Sequence, residues 1–168
     1  GLDGARRKGR LGVTFGPEQA ALLLALAVTL HNAEEMILLA GRSNPYLPQL
    51  QIGPVAFRFA SAAIAVLFWL VAIALLSGLP VSGVLAGASL AMIVNAVVPH
   101  LALTVVEWRY HPGTATAWLL VVPAAAVFVT AIGGPRAFAD RSFLTEAVVG
   151  FLGLALSLAV LLTLGRMI

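Results

Sequence analysis

The residues best placed to do chemistry stand together at His31-Asn32-Ala33-Glu34-Glu35, inside an apolar run long enough to cross a membrane. On a helix, positions i, i+3 and i+4 are neighbours, so His31, Glu34 and Glu35 share one patch. A charged side chain at the centre of a membrane helix costs roughly 2.5–3.5 kcal/mol on insertion scales, and such residues face a protein interior or a wet cavity. One imidazole beside two carboxylates is the ligand chemistry of metal sites built between helices of a bundle. The same groups suit general acid/base catalysis, where burial and paired carboxylates raise one pKa towards neutrality. Intramembrane His and Glu also mark proton or ion relays.

Composition sets the class. The chain of 168 residues is 61% hydrophobic and 10% charged, against about 45–50% and about 25% in soluble domains. This predicts an integral membrane protein, all-α, folded as a polytopic bundle. The organisation expected is a basic tail over residues 1–15 and one membrane domain over 16–168, with no separate soluble domain. There is no cysteine, which excludes disulfides, thiolate metal ligands and a cysteine nucleophile. The net charge of +3 does not mark a nucleic-acid binder, because Arg6, Arg7, Lys8 and Arg10 crowd one short tail where basic residues set membrane orientation.

Five helices must position the cluster. Gly16-Pro17-Glu18 opens the first in a favoured way, with Pro at the first position and an acid at the positive end of the dipole. The expected spans are Pro17–Ala40, Val55–Ser77, Val81–Val106, Thr114–Ile132 and Ser142–Leu164. The first is too long for a signal peptide and carries its polar cluster near the far end. A loop with three prolines over 41–54 and a turn at Gly78-Leu79-Pro80 separate the early spans. Pro99 and Pro123 fall inside helices and predict kinks. No internal repeat or low-complexity segment is visible.

With the N-terminus inside, six Lys and Arg lie on the inner side (Arg6, Arg7, Lys8, Arg10, Arg136, Arg141) and four on the outer (Arg42, Arg58, Arg109, Arg166). This favours a cytoplasmic N-terminus, in a bacterial host in the cytoplasmic membrane. At 1.5 Å per residue, His31 lies about 21 Å and Glu35 about 27 Å along helix 1, and His100 about 28 Å along helix 3, which runs the same way. Arg58, Thr114 and Thr116 begin helices at that end, and Tyr110 and His111 lie in the link there. All three histidines therefore meet at one end of the bundle, whatever its absolute orientation.

Helix 3 adds His100, Thr104 and Glu107 on one face, at i, i+4 and i+7. Pro99 clashes with the Asn95 carbonyl four residues back, and the resulting kink is what turns Asn95 and His100 to one face. Trp108 and Tyr110 suit an interfacial belt, with Tyr110 within reach of the cluster. Arg58, one turn into helix 2, either snorkels to the interface or pairs with Glu34 or Glu35. Glu146 begins helix 5 at the opposite end and falls outside the site. Gly83-x-x-x-Gly87 permits close helix packing, within the chain or between copies in a homo-oligomer.

These motifs carry a resemblance. His31-Asn32-Ala33-Glu34-Glu35, Asn95 shortly before His100, and Tyr110-His111-Pro112-Gly113 stand in the order seen in the HXXEE family of membrane proteins, which the chain resembles over about residues 17–130. The family name records a motif and no reaction, so the resemblance implies a site without its chemistry.

Three functions fit. The first is a membrane-embedded metalloenzyme. Its metal ligands come from His31, Glu34, Glu35 and His100, holding zinc or iron through nitrogen and oxygen. Glu34, Tyr110 and Asn95 are its catalytic candidates, with Tyr110 orienting substrate and Asn95 bonding to a ligand. Arg58, Thr104, Glu107 and His111 support it. Its partners are membrane lipids and a lipophilic substrate entering from the outer leaflet. The second is metal-free acid/base catalysis on an isoprenoid or sterol-like lipid, as an isomerase or cyclase. In layout alone, the five spans resemble sterol isomerases of the emopamil-binding-protein type. The third is a proton or ion pathway or a membrane binding subunit.

Overall fold

The computed structural model of the chain describes residues 15–38, 53–165 and 167, and these are helical apart from short turns, with no strand among them. Among the described residues five helices are long and apolar enough to cross a membrane: α1 Pro17–Leu38, α2 Pro54–Leu76, α3 Ser82–Glu107, α4 Thr114–Ala131 and α5 Arg141–Gly165. Number and order are as the sequence predicts, and the bounds shift by only a residue or so for local reasons. Pro54 takes the first position of α2, where a missing N–H costs nothing. Asp140 caps α5, its Oδ1 accepting from the backbone N–H of Ser142 at 2.9 Å and of Phe143 at 3.0 Å, so the helix starts at Arg141. At the end of α2, Gly78 takes φ +83° while its N–H and that of Leu79 bond back to Leu75 and Ala74, a Schellman closure. The expected tail, the end of helix 1 at Ala40 and most of the proline loop lie outside the described residues. So do Arg6, Arg7, Lys8, Arg10, Arg42 and Arg166, on which the orientation count mainly rests.

Around the bundle the neighbours run α1, α2, α5, α3, α4 and back to α1. The core is built from Leu24, Val28, Phe68, Leu85, Val121 and Phe128 among many alanines. Small residues decide the α3–α5 contact, the most extensive in the fold. A Cβ on Gly87 would lie 1.8 Å from the Ala147 carbonyl oxygen, and one on Gly150 2.0 Å from that of Val84. The Gly83-x-x-x-Gly87 pair is thus occupied within the chain, against α5. Polar ties bind α1 to α2, among them Asn32 Nδ2 donating to the buried Ser61 carbonyl at 2.8 Å and Trp69 Nε1 donating to Thr29 Oγ1 at 2.9 Å.

Both internal prolines alter the helix around them. Pro99 cannot donate to the Asn95 carbonyl, and the backbone over Ala96–Leu101 opens into a π-helical turn. A second π turn, Ala117–Val121, immediately precedes Val122-Pro123. Both lie at the end of the bundle where α3 finishes and α4 begins.

Candidate metal centre

α1 presents His31 and Glu35 one turn apart, and α3 presents His100 to them across the helix interface. Glu35 Oε1 lies 3.0 Å from His100 Nε2 and 3.8 Å from His31 Nε2. The imidazoles meet edge to face, centroids 5.0 Å apart and planes at 86°. One ligand atom from each of His31, Glu35 and His100 fits within 4.8 Å of the others. Both histidines are buried, at 1% and 4% exposure. Among the described residues His31 Nε2 has no hydrogen-bond partner, a costly condition for a buried polar atom and one that calls for an explanation.

Asn95 joins this group through the π turn. In a regular α-helix at 3.6 residues per turn, residues i and i+5 point about 140° apart. The wider turn of Ala96–Leu101 brings Asn95 Nδ2 to 3.2 Å from His100 Nε2. The structure thus places Asn95 and His100 on one face, as the proline predicts.

Glu34 turns away from the trio, towards the start of α4. Its Oε1 accepts from the Gly113 N–H at 3.0 Å and from the Tyr110 hydroxyl, and its Oε2 accepts from Thr116 Oγ1 at 2.7 Å. Thr116 Oγ1 also lies 3.1 Å from His31 Nδ1, so it joins Glu34 to the trio. Burial, and then the bond to Glu34, raise the Tyr110 phenol above its ordinary value, which keeps it a donor through neutral pH. Tyr110 is half exposed and marks the rim of the site.

Gly113 is required twice over. It holds φ +91°, and a Cβ there would lie 2.5 Å from His100 Cε1. The Pro112-Gly113 turn is therefore the surface against which the His100 ring rests.

The remaining candidates form a neighbouring set. Glu107 bonds to His111 Nε2 at 2.8 Å and pairs with Arg109. Thr104 Oγ1 lies 3.0 Å from Thr114 Oγ1 and accepts from the His111 N–H. These contacts close the turn between α3 and α4 and meet the trio only through Thr114, whose Oγ1 donates to the His100 backbone carbonyl at 3.3 Å. Arg58 Nε reaches the Met36 carbonyl at 3.4 Å, and no ion pair among the described residues joins it to Glu34 or Glu35. It clasps the end of α1 and does not neutralise the cluster. The sequence places Thr116 at this end but gives it no partner, and it gives Gly113 only a turn. Neither role is visible before the packing of α4 on α1 is known.

Residues 22–128 match the family described as "Protein of unknown function with HXXEE motif". A relative in Bacillus subtilis (strain 168), "Uncharacterized protein YrkK", is 36% identical over 104 residues, covering 58% of this chain and 64% of that protein. The chain thus spans somewhat less than two thirds of that relative's length. No solved structure matches.

Proposed function

This chain belongs to the HXXEE-motif family, and from that premise we propose that it is a membrane-embedded, metal-dependent enzyme acting on a lipophilic substrate. His31, Glu35 and His100 hold one divalent transition metal, zinc or iron, in the outer half of a bacterial cytoplasmic membrane. The observation that carries this reading is the convergence of Glu35 Oε1 on two buried imidazole nitrogens, one of which has no hydrogen-bond partner. A cation satisfies all three lone pairs at once.

The donor set fits the group. With bonds of about 2.0–2.1 Å, ligand atoms of a tetrahedral centre lie about 3.3 Å apart; the two separations from Glu35 are 3.0 and 3.8 Å, and all three ligand atoms lie within 4.8 Å of one another, so the rings need close in only slightly on an ion. Two His and one carboxylate match catalytic zinc sites that keep an open position, and also the facial triad of non-haem iron enzymes. A metal so held supplies Lewis acidity and an open coordination position. The chain's own residues do the rest. Glu35 offsets the charge in a dry setting. Tyr110 stands at the rim, where its hydroxyl can exchange Glu34 for a polar group of the substrate. Glu34, fixed by three donors, is preorganised to meet that group. His31 and Glu35 lie about 10 and 5 Å below the end of α1 at 1.5 Å per residue. That depth suits the polar end of a lipid whose tail lies along the bundle.

The test is elemental analysis of the detergent-purified protein beside His31→Ala and His100→Ala. About one equivalent of one transition metal, absent from both variants, is the expected result. A wild-type protein that stays metal-free after gentle purification and attempted reconstitution overturns the reading. A second reading, metal-free proton transfer, is favoured by the His100–Glu35 contact at 3.0 Å, which sets an imidazole nitrogen against a carboxylate oxygen without any ion. Turnover that resists chelators would select it.

A further inference from the structure

We infer that Thr116 is a positioning residue that holds His31 with Nδ1 protonated and the Nε2 lone pair free, and that Glu34 acts on the centre through Thr116 and not as a ligand. The metal reading supplies the consequence of this inference, whereas the hydrogen-bond geometry supplies its grounds.

A threonine hydroxyl has one proton to donate and lone pairs to accept with. Thr116 Oγ1 has three partners: Glu34 Oε2 at 2.7 Å, His31 Nδ1 at 3.1 Å and the Gly113 carbonyl at 3.3 Å. A carboxylate and a carbonyl only accept, so the proton belongs to one of them. The carboxylate bond is the shorter and is charge-assisted. His31 Nδ1 then faces a lone pair and must itself carry a proton. On a neutral imidazole this leaves Nε2 bare. Nε2 is the buried nitrogen that lacks a partner, and it is aimed at Glu35.

Glu34 is meanwhile fully engaged. Gly113 and Tyr110 hold Oε1, and Thr116 holds Oε2. Reaching the trio would require giving up a backbone donor and a hydroxyl together. The arrangement is a carboxylate–hydroxyl–imidazole chain, in which the carboxylate polarises the hydroxyl that orients the ring. Groups that fix the free N–H of a metal-bound histidine typically affect affinity by about 10–100-fold.

Two readouts on the full chain in detergent test the inference. The first is the ring ¹⁵N spectrum of histidine-labelled, metal-free protein, with His31 assigned by its loss in His31→Gln. The Nδ1–H tautomer is expected for the wild type and for Thr116→Ser, and a mixture for Thr116→Val. The second is zinc affinity: about 10–100-fold weaker in Thr116→Val, but within about threefold of wild type in Thr116→Ser, where the hydroxyl and its carboxylate partner remain. An Nε2–H tautomer in the wild type overturns the inference, and so does a Thr116→Val protein with unchanged tautomer and zinc affinity. The expected tautomers in a wild-type protein that binds neither zinc nor ferrous iron refute the metal reading and leave the Thr116 assignment standing.

Discussion

Replacing Gly113 by alanine separates backbone strain from loss of the site. Gly113 holds φ +91° and its N–H serves Glu34. A Cβ there would lie 2.5 Å from His100 Cε1, 2.9 Å from Nδ1 and 3.1 Å from Nε2. Carbon atoms rest at about 3.5–4.0 Å, so the ring must retreat by about 1 Å. Metal–ligand distances tolerate about 0.2 Å, so a shift of that size removes His100 from the centre. The left-handed backbone adds about 1–2 kcal/mol of strain for any residue with a Cβ. Gly78 supplies the control: its φ is +83° and nothing lies within 4 Å of its Cβ position. Thermal unfolding and zinc affinity in detergent read the two effects. Gly78→Ala should lower stability by about 1–2 kcal/mol and leave zinc binding intact. Gly113→Ala should lose at least that much stability and also bind zinc at least about tenfold more weakly, a further 1.4 kcal/mol. A Gly113→Ala protein that binds zinc as the wild type does refutes the role given to the turn. An equal loss of zinc in Gly78→Ala would show that strain alone unseats the metal.

Three further outcomes follow from the packing. Gly87→Ala forces α3 off α5, since the new Cβ meets the Ala147 carbonyl oxygen at 1.8 Å. It should cost about 1–3 kcal/mol in unfolding, while Gly153→Ala, with nothing within 4 Å, should be near neutral. Asn32→Ala removes the donor to the Ser61 carbonyl and should cost about 1 kcal/mol without changing metal content. Hydrogen bonds from the Ser142 side chain and the Phe143 N–H hold the Asp140 carboxyl below its ordinary value. Its contribution is therefore complete above the pKa of an unfolded aspartate and is lost as pH falls through the lower, folded value. Unfolding followed from about pH 6 downward should show a shallower acid limb in Asp140→Ala.

Much of the fold was legible because hydropathy and length define spans, and alternating direction then assigns each polar residue to an end. That reasoning alone brings His31, Glu35 and His100 together. Pro99 also made the pairing of Asn95 with His100 legible, since a missing N–H must disturb the turn that separates them. The form of the disturbance, a π turn, depends on how α3 settles against its neighbours. Arg58 was illegible for a different reason. A long side chain near a helix end reaches either a carboxylate or a carbonyl, and the close approach of Met36 decides it. The glycine pair on α3 announces a close contact but not its partner. Only the matching small residues Ala147 and Gly150 on α5 resolve that.

The two adjacent glutamates show why the motif has two acids. Successive helical residues point about 100° apart, so Glu34 and Glu35 share a patch yet address different neighbours. Glu35, one full turn after His31, lies beside that ring and reaches His100 on α3. Glu34 points instead to the α3–α4 turn, where Gly113, Tyr110 and Thr116 receive it. From there its influence returns to His31 through the Thr116 hydroxyl, on the nitrogen opposite the one that faces Glu35. One imidazole thus has a carboxylate towards each ring nitrogen, Glu35 facing Nε2 at 3.8 Å and Glu34 joined to Nδ1 through a threonine. The periodicity puts both acids near the histidine, and the order of helices around the bundle gives them separate work. A single acid at either position would supply only one of these contacts.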